Sequence, residues 1–125
     1  DETGLKELVS AASTRLAEVQ LIKDKELMDR FMKEVLSGKL SCYGVTQVQK
    51  ALSMGAVEIL LISELFEQDN PDISAENSDS FVKYLAETAS ASSAEVFIIS
   101  RDTEEGTSLR KAFNGLAAIL RYPIN

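Results

Sequence analysis

The chain has no histidine and a single cysteine, Cys42. These two shortages remove the imidazole bases and soft ligands on which zinc sites, internal disulfides and thiol–imidazole catalysis depend. A thiol with no base beside it keeps a high pKa, and free cysteine is among the side chains most often buried. Cys42, in the extended stretch Leu40-Ser41-Cys42-Tyr43, therefore reads as a small core hydrophobe. Basic residues are also short, 13 against 20 acidic, which leaves a net charge of −7. Phosphate backbones are held by clustered Lys and Arg, so direct RNA binding is disfavoured. No apolar run approaches the roughly 18 residues of a membrane span, and no basic and apolar signal segment opens the chain, so a cytoplasmic location without a membrane partner is expected. The glycine-rich phosphate loops and the G-x-S-x-G elbow are missing. We expect no catalytic residue, no metal site and no cofactor.

What is present is enough for one core. With 125 residues, 45% of them hydrophobic, the chain suits a single domain over 1–125, and the polar segment Asp1 to Gly4 suits the flexible start of a fragment. Leu27, Met28, Phe31, Met32, Val35 and Leu36 form a wide helical stripe, with Asp24 as its N-cap and Gly38 as its stop. Gly4 to Ile22 is open between two readings, since Leu5, Leu8 and Val9 fit a helix while Val19 to Ile22 also fits an extended segment. A second helix from Thr46 turns Val48, Ala51 and Leu52 inward, and Gly55 stands where a left-handed terminating residue belongs. Val57 to Ile62 is apolar except at Glu58, the mark of a strand covered on both faces, as in a parallel sheet. Residues 64 to 79 carry acid without base and turn chemistry at Asn70-Pro71-Asp72, which predicts an exposed loop. Phe81, Val82, Leu85, Ala86 and Ala89 give a third helix and Val96 to Ile99 a strand. Asp102 and Glu105 have capping-box spacing ahead of a helix over 103–113, which Asn114-Gly115 ends. Leu116 to Leu120 is the last strand. Strands alternating with helices behind an N-terminal helix predict an α/β fold, a three-layer α/β/α sandwich.

Few groups invite chemistry. Glu104 and Glu105 are adjacent on a helix and point about 100° apart, so they cannot face one substrate together; in a first turn they complement the helix dipole instead. The acidic segment lacks the spacing of a calcium loop. Met28, Phe31 and Met32, beside Leu21 and Ile22, make an apolar stripe broad enough for part of it to remain exposed as a protein-docking patch.

Three blocks carry a resemblance. Tyr43-Gly44-Val45 runs into Ala51 through Ser63, Ser100 to Gly106 follows, and Gly115-Leu116-Ala117-Ala118-Ile119-Leu120-Arg121-Tyr122 closes the set. In order and spacing they resemble the third domain shared by pelota and the class-I peptide chain release factors. The fold so implied is the three-layer sandwich also found in kink-turn RNA-binding ribosomal proteins. The function implied is docking in ribosome rescue and mRNA surveillance, with a translational GTPase of elongation-factor type and a ribosome-recycling ATPase as partners and the ribosome met through the whole protein. Residues in positions corresponding to the partner-binding segment are Leu21, Ile22 and Phe31, and Arg121 emerges at the end of the final strand. A release factor's third domain usually carries an inserted subdomain, so the short segment 64 to 79 favours pelota. The alternatives are the C-terminal domain of a class-I release factor and a kink-turn RNA-binding domain.

Overall fold

The computed structural model describes residues 2–74 and 81–124, with side chains from Glu18 to Ile73 and from Phe81 to Ile124. The elements are α1 (Glu2–Ser37), β1 (Ser41–Tyr43), α2 (Val45–Ser53), β2 (Val57–Ser63), α3 (Phe66–Asp69), α4 (Pro71–Ser74), α5 (Phe81–Ala91), β3 (Glu95–Ile99), α6 (Glu104–Phe113) and β4 (Leu116–Leu120). Among the described residues no helix is long and apolar enough to cross a membrane.

The four strands form one sheet in the order β1-β4-β2-β3. β2 and β3 run parallel, whereas β4 lies antiparallel to both β1 and β2. The parallel sheet suggested by the apolar run in β2 is thus a mixed one. The run reports burial on both faces, which the central position of β2 and β4 supplies whatever their direction.

All five residues of β4 are buried. Their alternation separates two cores: Leu116, Ala118 and Leu120 join Leu60 and Ile62 beneath α2 and α5, while Ala117 and Ile119 join Ile59 and Leu61 beneath α1 and α6. The sandwich therefore has three layers. Glu58 is the one polar residue of the β2 run because the register against β4 shifts between Val57 and Ile59. This bulge accommodates an extra residue, and the Glu58 carboxylate pairs with Arg30 of α1 outside the core.

Cys42 is 4% exposed in the α2–α5 core, and burial pushes its thiol up to about 11, so it packs as a hydrophobe. Gly55 has φ 67°, the left-handed turn expected after α2. Asn114 and Gly115, at φ 59° and 76°, end α6.

Several local expectations change. Residues 64–74 are not a solvated loop, because Phe66 is 1% exposed and stacks on Phe81, which pulls α3 onto the α2–α5 core. The rest of that acidic segment, 75–79, lies outside the described residues, as do Asp1, Ser80 and Asn125. Val19 to Ile22 is helical, since α1 begins at Glu2 and runs for 36 residues. Asp24 is accordingly not an N-cap: it sits inside α1 with no exposed surface. The cap of α6 is Thr103 rather than Asp102, its side chain accepting the Gly106 N–H at 2.9 Å. A β-branched hydroxyl at this position satisfies one of the orphan donors of the first turn.

Candidate functional site

The α1–α6 layer has an opening where two helices meet. On α6, the small residues Ser108 and Ala112 are one turn apart and leave room beside α1; on α1, Met28 and Met32 are likewise one turn apart and face that room. The result is a groove of about 350 Å³ whose apolar floor is Met28, Met32 and Phe113. Asp29, Glu104 and Glu105 complete its edge, and none of its lining side chains is basic.

Phe113 is held by aromatic packing on both sides. Its ring meets Phe31 edge to face at 4.9 Å between centroids and Tyr43 at 5.2 Å. Offset and edge-to-face pairs of this kind contribute about 0.5–1.5 kcal/mol beyond the area they bury. Phe31 has no exposed surface and packs against Phe113 beneath the groove. This corrects its assignment as a contact residue. A charge at position 31 would enter the core, so Phe31→Asp tests folding rather than docking.

Leu21 is 50% exposed and Ile22 59%. Two helical turns separate Leu21 from Met28, which sets it on the groove flank of α1, while Ile22 lies about 100° round the helix. Leu36, 84% exposed, and Tyr43, 44% exposed, extend the apolar surface towards the other end of α1.

Arg121 does not join this surface. Its guanidinium donates to the carbonyls of Ser92 and Ser93 at 3.0 and 2.9 Å, in the turn after α5. Tyr122 beside it donates its hydroxyl to the Met54 carbonyl, after α2. Both side chains fasten helix ends of the opposite layer, and a cation is favourable where helix carbonyls are left unpaired. On the far side of α6, Arg110 forms a two-pronged pair with Asp69, at 2.8 and 3.0 Å, and its hydrogen bonds hold the Asp69 carboxyl below the ordinary carboxylate range.

The residues that sequence reasoning did not single out as a site are Phe113, Asp29 and the spacing pair Ser108 and Ala112. The available signal was Leu109 and Phe113 at i and i+4 on a helix whose neighbouring face has the small residues Ser108 and Ala112 one turn apart.

Residues 21–124 match the family described as eRF1 domain 3. The chain belongs to that family. Peptide chain release factor subunit 1 of Methanocaldococcus jannaschii is 32% identical over 164 aligned positions, which take in all of this chain and 39% of the relative. Those positions outnumber the 125 residues here, so the relative carries extra residues within the matched stretch. The solved C-terminal domain of a Methanosarcina mazei peptide chain release factor superposes with a TM-score of 0.78 at 29% identity, covering 98% of this chain and 96% of that one. Archaeal Pelota, in a ribosome-bound assembly with ABCE1, gives 0.72 at 26% identity and covers all of this chain but 34% of its own. The chain thus spans well under half the length of the whole factors it resembles, and the fold is that of the C-terminal domain common to pelota and release factors.

Proposed function

We propose that this domain is the protein-docking part of a pelota-type ribosome-rescue factor, and that its α1–α6 groove receives the translational GTPase that delivers such a factor. The observation that carries the reading is the groove itself: an apolar floor of methionines and one phenylalanine inside a rim of three carboxylates. Methionine adapts its shape to an incoming side chain, and a carboxylate rim fits an apolar knob flanked by basic residues. The net charge of −7 makes the same surface repel phosphate backbones. Ribosome-bound archaeal Pelota together with ABCE1 supports a ribosome and a recycling ATPase as the wider partners.

Compactness supports pelota against the Methanocaldococcus release factor, whose matched stretch takes 164 positions, but the Methanosarcina release-factor domain, of which the chain covers 96%, is as compact and speaks for the second reading. That reading, a release-factor C-terminal domain, is also favoured by the name of the Methanocaldococcus relative. A Gly-Gly-Gln loop in the sequence upstream would decide for the release factor.

The test of docking is calorimetric titration of the chain with an elongation-factor-like GTPase loaded with GTP, with kink-turn RNA in parallel. We expect binding to the GTPase alone, and at least tenfold weaker binding by Met32→Asp, because a charge is placed on the apolar floor. Equal affinity in that variant, or a shift of the RNA alone, overturns the reading.

A further inference from the structure

One polar group on the groove layer is left over by packing and by docking alike. Asp24 has no exposed surface. One of its carboxylate oxygens accepts the Gln20 amide at 2.5 Å, and the other accepts the Ser100 backbone N–H at 3.0 Å and the Thr103 hydroxyl at 3.1 Å. Thr103 passes the connection on, since it accepts the Gly106 N–H in the first turn of α6. Gly106 is pressed so closely on this corner that a Cβ there would lie 1.8 Å from the Ser100 carbonyl oxygen. A buried carboxylate is costly unless its oxygens are satisfied. Here the donors come from α1 and from the β3–α6 corner, so the satisfied geometry exists at a single placement of one helix against the other. The turn that Asp24 grips is also the one that carries Glu104 and Glu105, the groove rim.

We infer that Asp24 is the positioning residue of the groove: it fixes the register and tilt of α1 so that Met28 and Met32 stand opposite Phe113 and the acidic rim. The inference rests on the docking reading above. Apolar packing between α1 and the sheet is non-directional and tolerates small slides. Hydrogen bonds from Ser100 and Thr103 do not. Without them only a fraction of molecules presents the groove in its receptive shape, and apparent affinity falls by that fraction.

The experiment places nitroxide labels at Glu18→Cys and Lys111→Cys, both exposed, while buried Cys42 remains unlabelled. Pulsed dipolar distances are recorded for the chain, for Asp24→Ala, for Asp24→Asn, and for Met32→Asp, with and without the GTP-loaded GTPase. Asp24→Ala should broaden the α1–α6 distance distribution and weaken binding about tenfold. Saturating GTPase should restore the narrow distribution; because binding also reverses a loss of stability by mass action, the free variants are recorded under conditions where circular dichroism shows them fully folded. Asp24→Asn, which retains one acceptor oxygen, should fall between, and it decides the comparison if the alanine variant does not fold. Met32→Asp should weaken binding with the distances unchanged. Wild-type distances and affinity in both Asp24 variants beside a weakened Met32→Asp overturn the positioning role and leave docking intact. Wild-type affinity in Met32→Asp removes the docking reading and this inference with it.

Discussion

The two faces of the sheet are covered in different ways. On one face α2 and α5 pack over a core that takes in Cys42, Leu60, Leu85 and Leu116, and Arg121 and Tyr122 fasten the turns that follow the two helices. On the other face α1 and α6 cover Ile59, Leu61, Ile99 and Ile119, yet they diverge enough to leave a groove, and a buried carboxylate ties them at one end. Both layers combine apolar area with oriented hydrogen bonds, but in the first the bonds come from exposed side chains after β4 and fasten turns, whereas in the second they converge on one buried carboxylate that ties α1 to the start of α6. On the docking reading, the groove depends on both: apolar surface left uncovered, and directional bonds that keep it from closing.

The sharpest break of this comparison is Gly106→Ala. A methyl group 1.8 Å from a backbone oxygen cannot be accommodated by rotating a side chain, so the corner must shift. We expect a loss of about 3 kcal/mol or more in urea unfolding, together with loss of the groove, since overpacking at a backbone contact lies at the upper end of such effects. Next comes Phe31→Ala, which should cost about 3–5 kcal/mol by the same measurement, as expected when a fully buried aromatic is removed. A Phe31→Ala variant as stable as the wild type would show that the groove layer is not anchored through Phe31.

Arg121→Ala sharpens the contrast from the α2–α5 side. It removes two hydrogen bonds to the turn after α5 and should cost about 1 kcal/mol in thermal unfolding while leaving GTPase affinity unchanged. Weakened affinity at unchanged stability would return Arg121 to the partner surface. The smallest effect concerns Asp69 and Arg110, which join α3 to α6 across the end of the sandwich. Because the folded carboxyl titrates below its unfolded value, its contribution is present above the ordinary carboxylate range and is lost as pH falls through the folded pKa. Arg110→Gln should return the Asp69 midpoint to the ordinary range in an NMR titration, with stability at neutral pH little altered for so exposed a pair.

Much of the architecture was legible in the sequence, for identifiable reasons. β2 and β4 are runs of apolar residues longer than an exposed strand would carry, and Asn114-Gly115 marks a helix end by the left-handed conformations those residues tolerate. Strand direction was not legible, because a strand buried on both faces reads alike whether its neighbours run with it or against it. Asp24 was read as an N-cap because a carboxylate before an apolar stripe satisfies either role, and only the long-range donors Ser100 and Thr103 separate them. Residues 64–79 read as a loop because one aromatic, Phe66, which the structure buries, is outweighed in any composition window by the acids around it. Of the groove, the stripe Met28 and Met32 was visible, but Phe31 could not be told from its neighbours without knowing which turn of α1 touches Phe113.

The length of α1 gives the Asp24 corner a mechanical meaning. At 1.5 Å per residue, the helix reaches about 33 Å from Asp24 back to Glu2, so a tilt of about 10° at the corner sweeps its far end through about 6 Å. The helix is a lever with its fulcrum at a carboxylate. On the positioning role inferred for Asp24, a displacement of that corner too small to open the sandwich would be magnified several-fold at the first turn of α1.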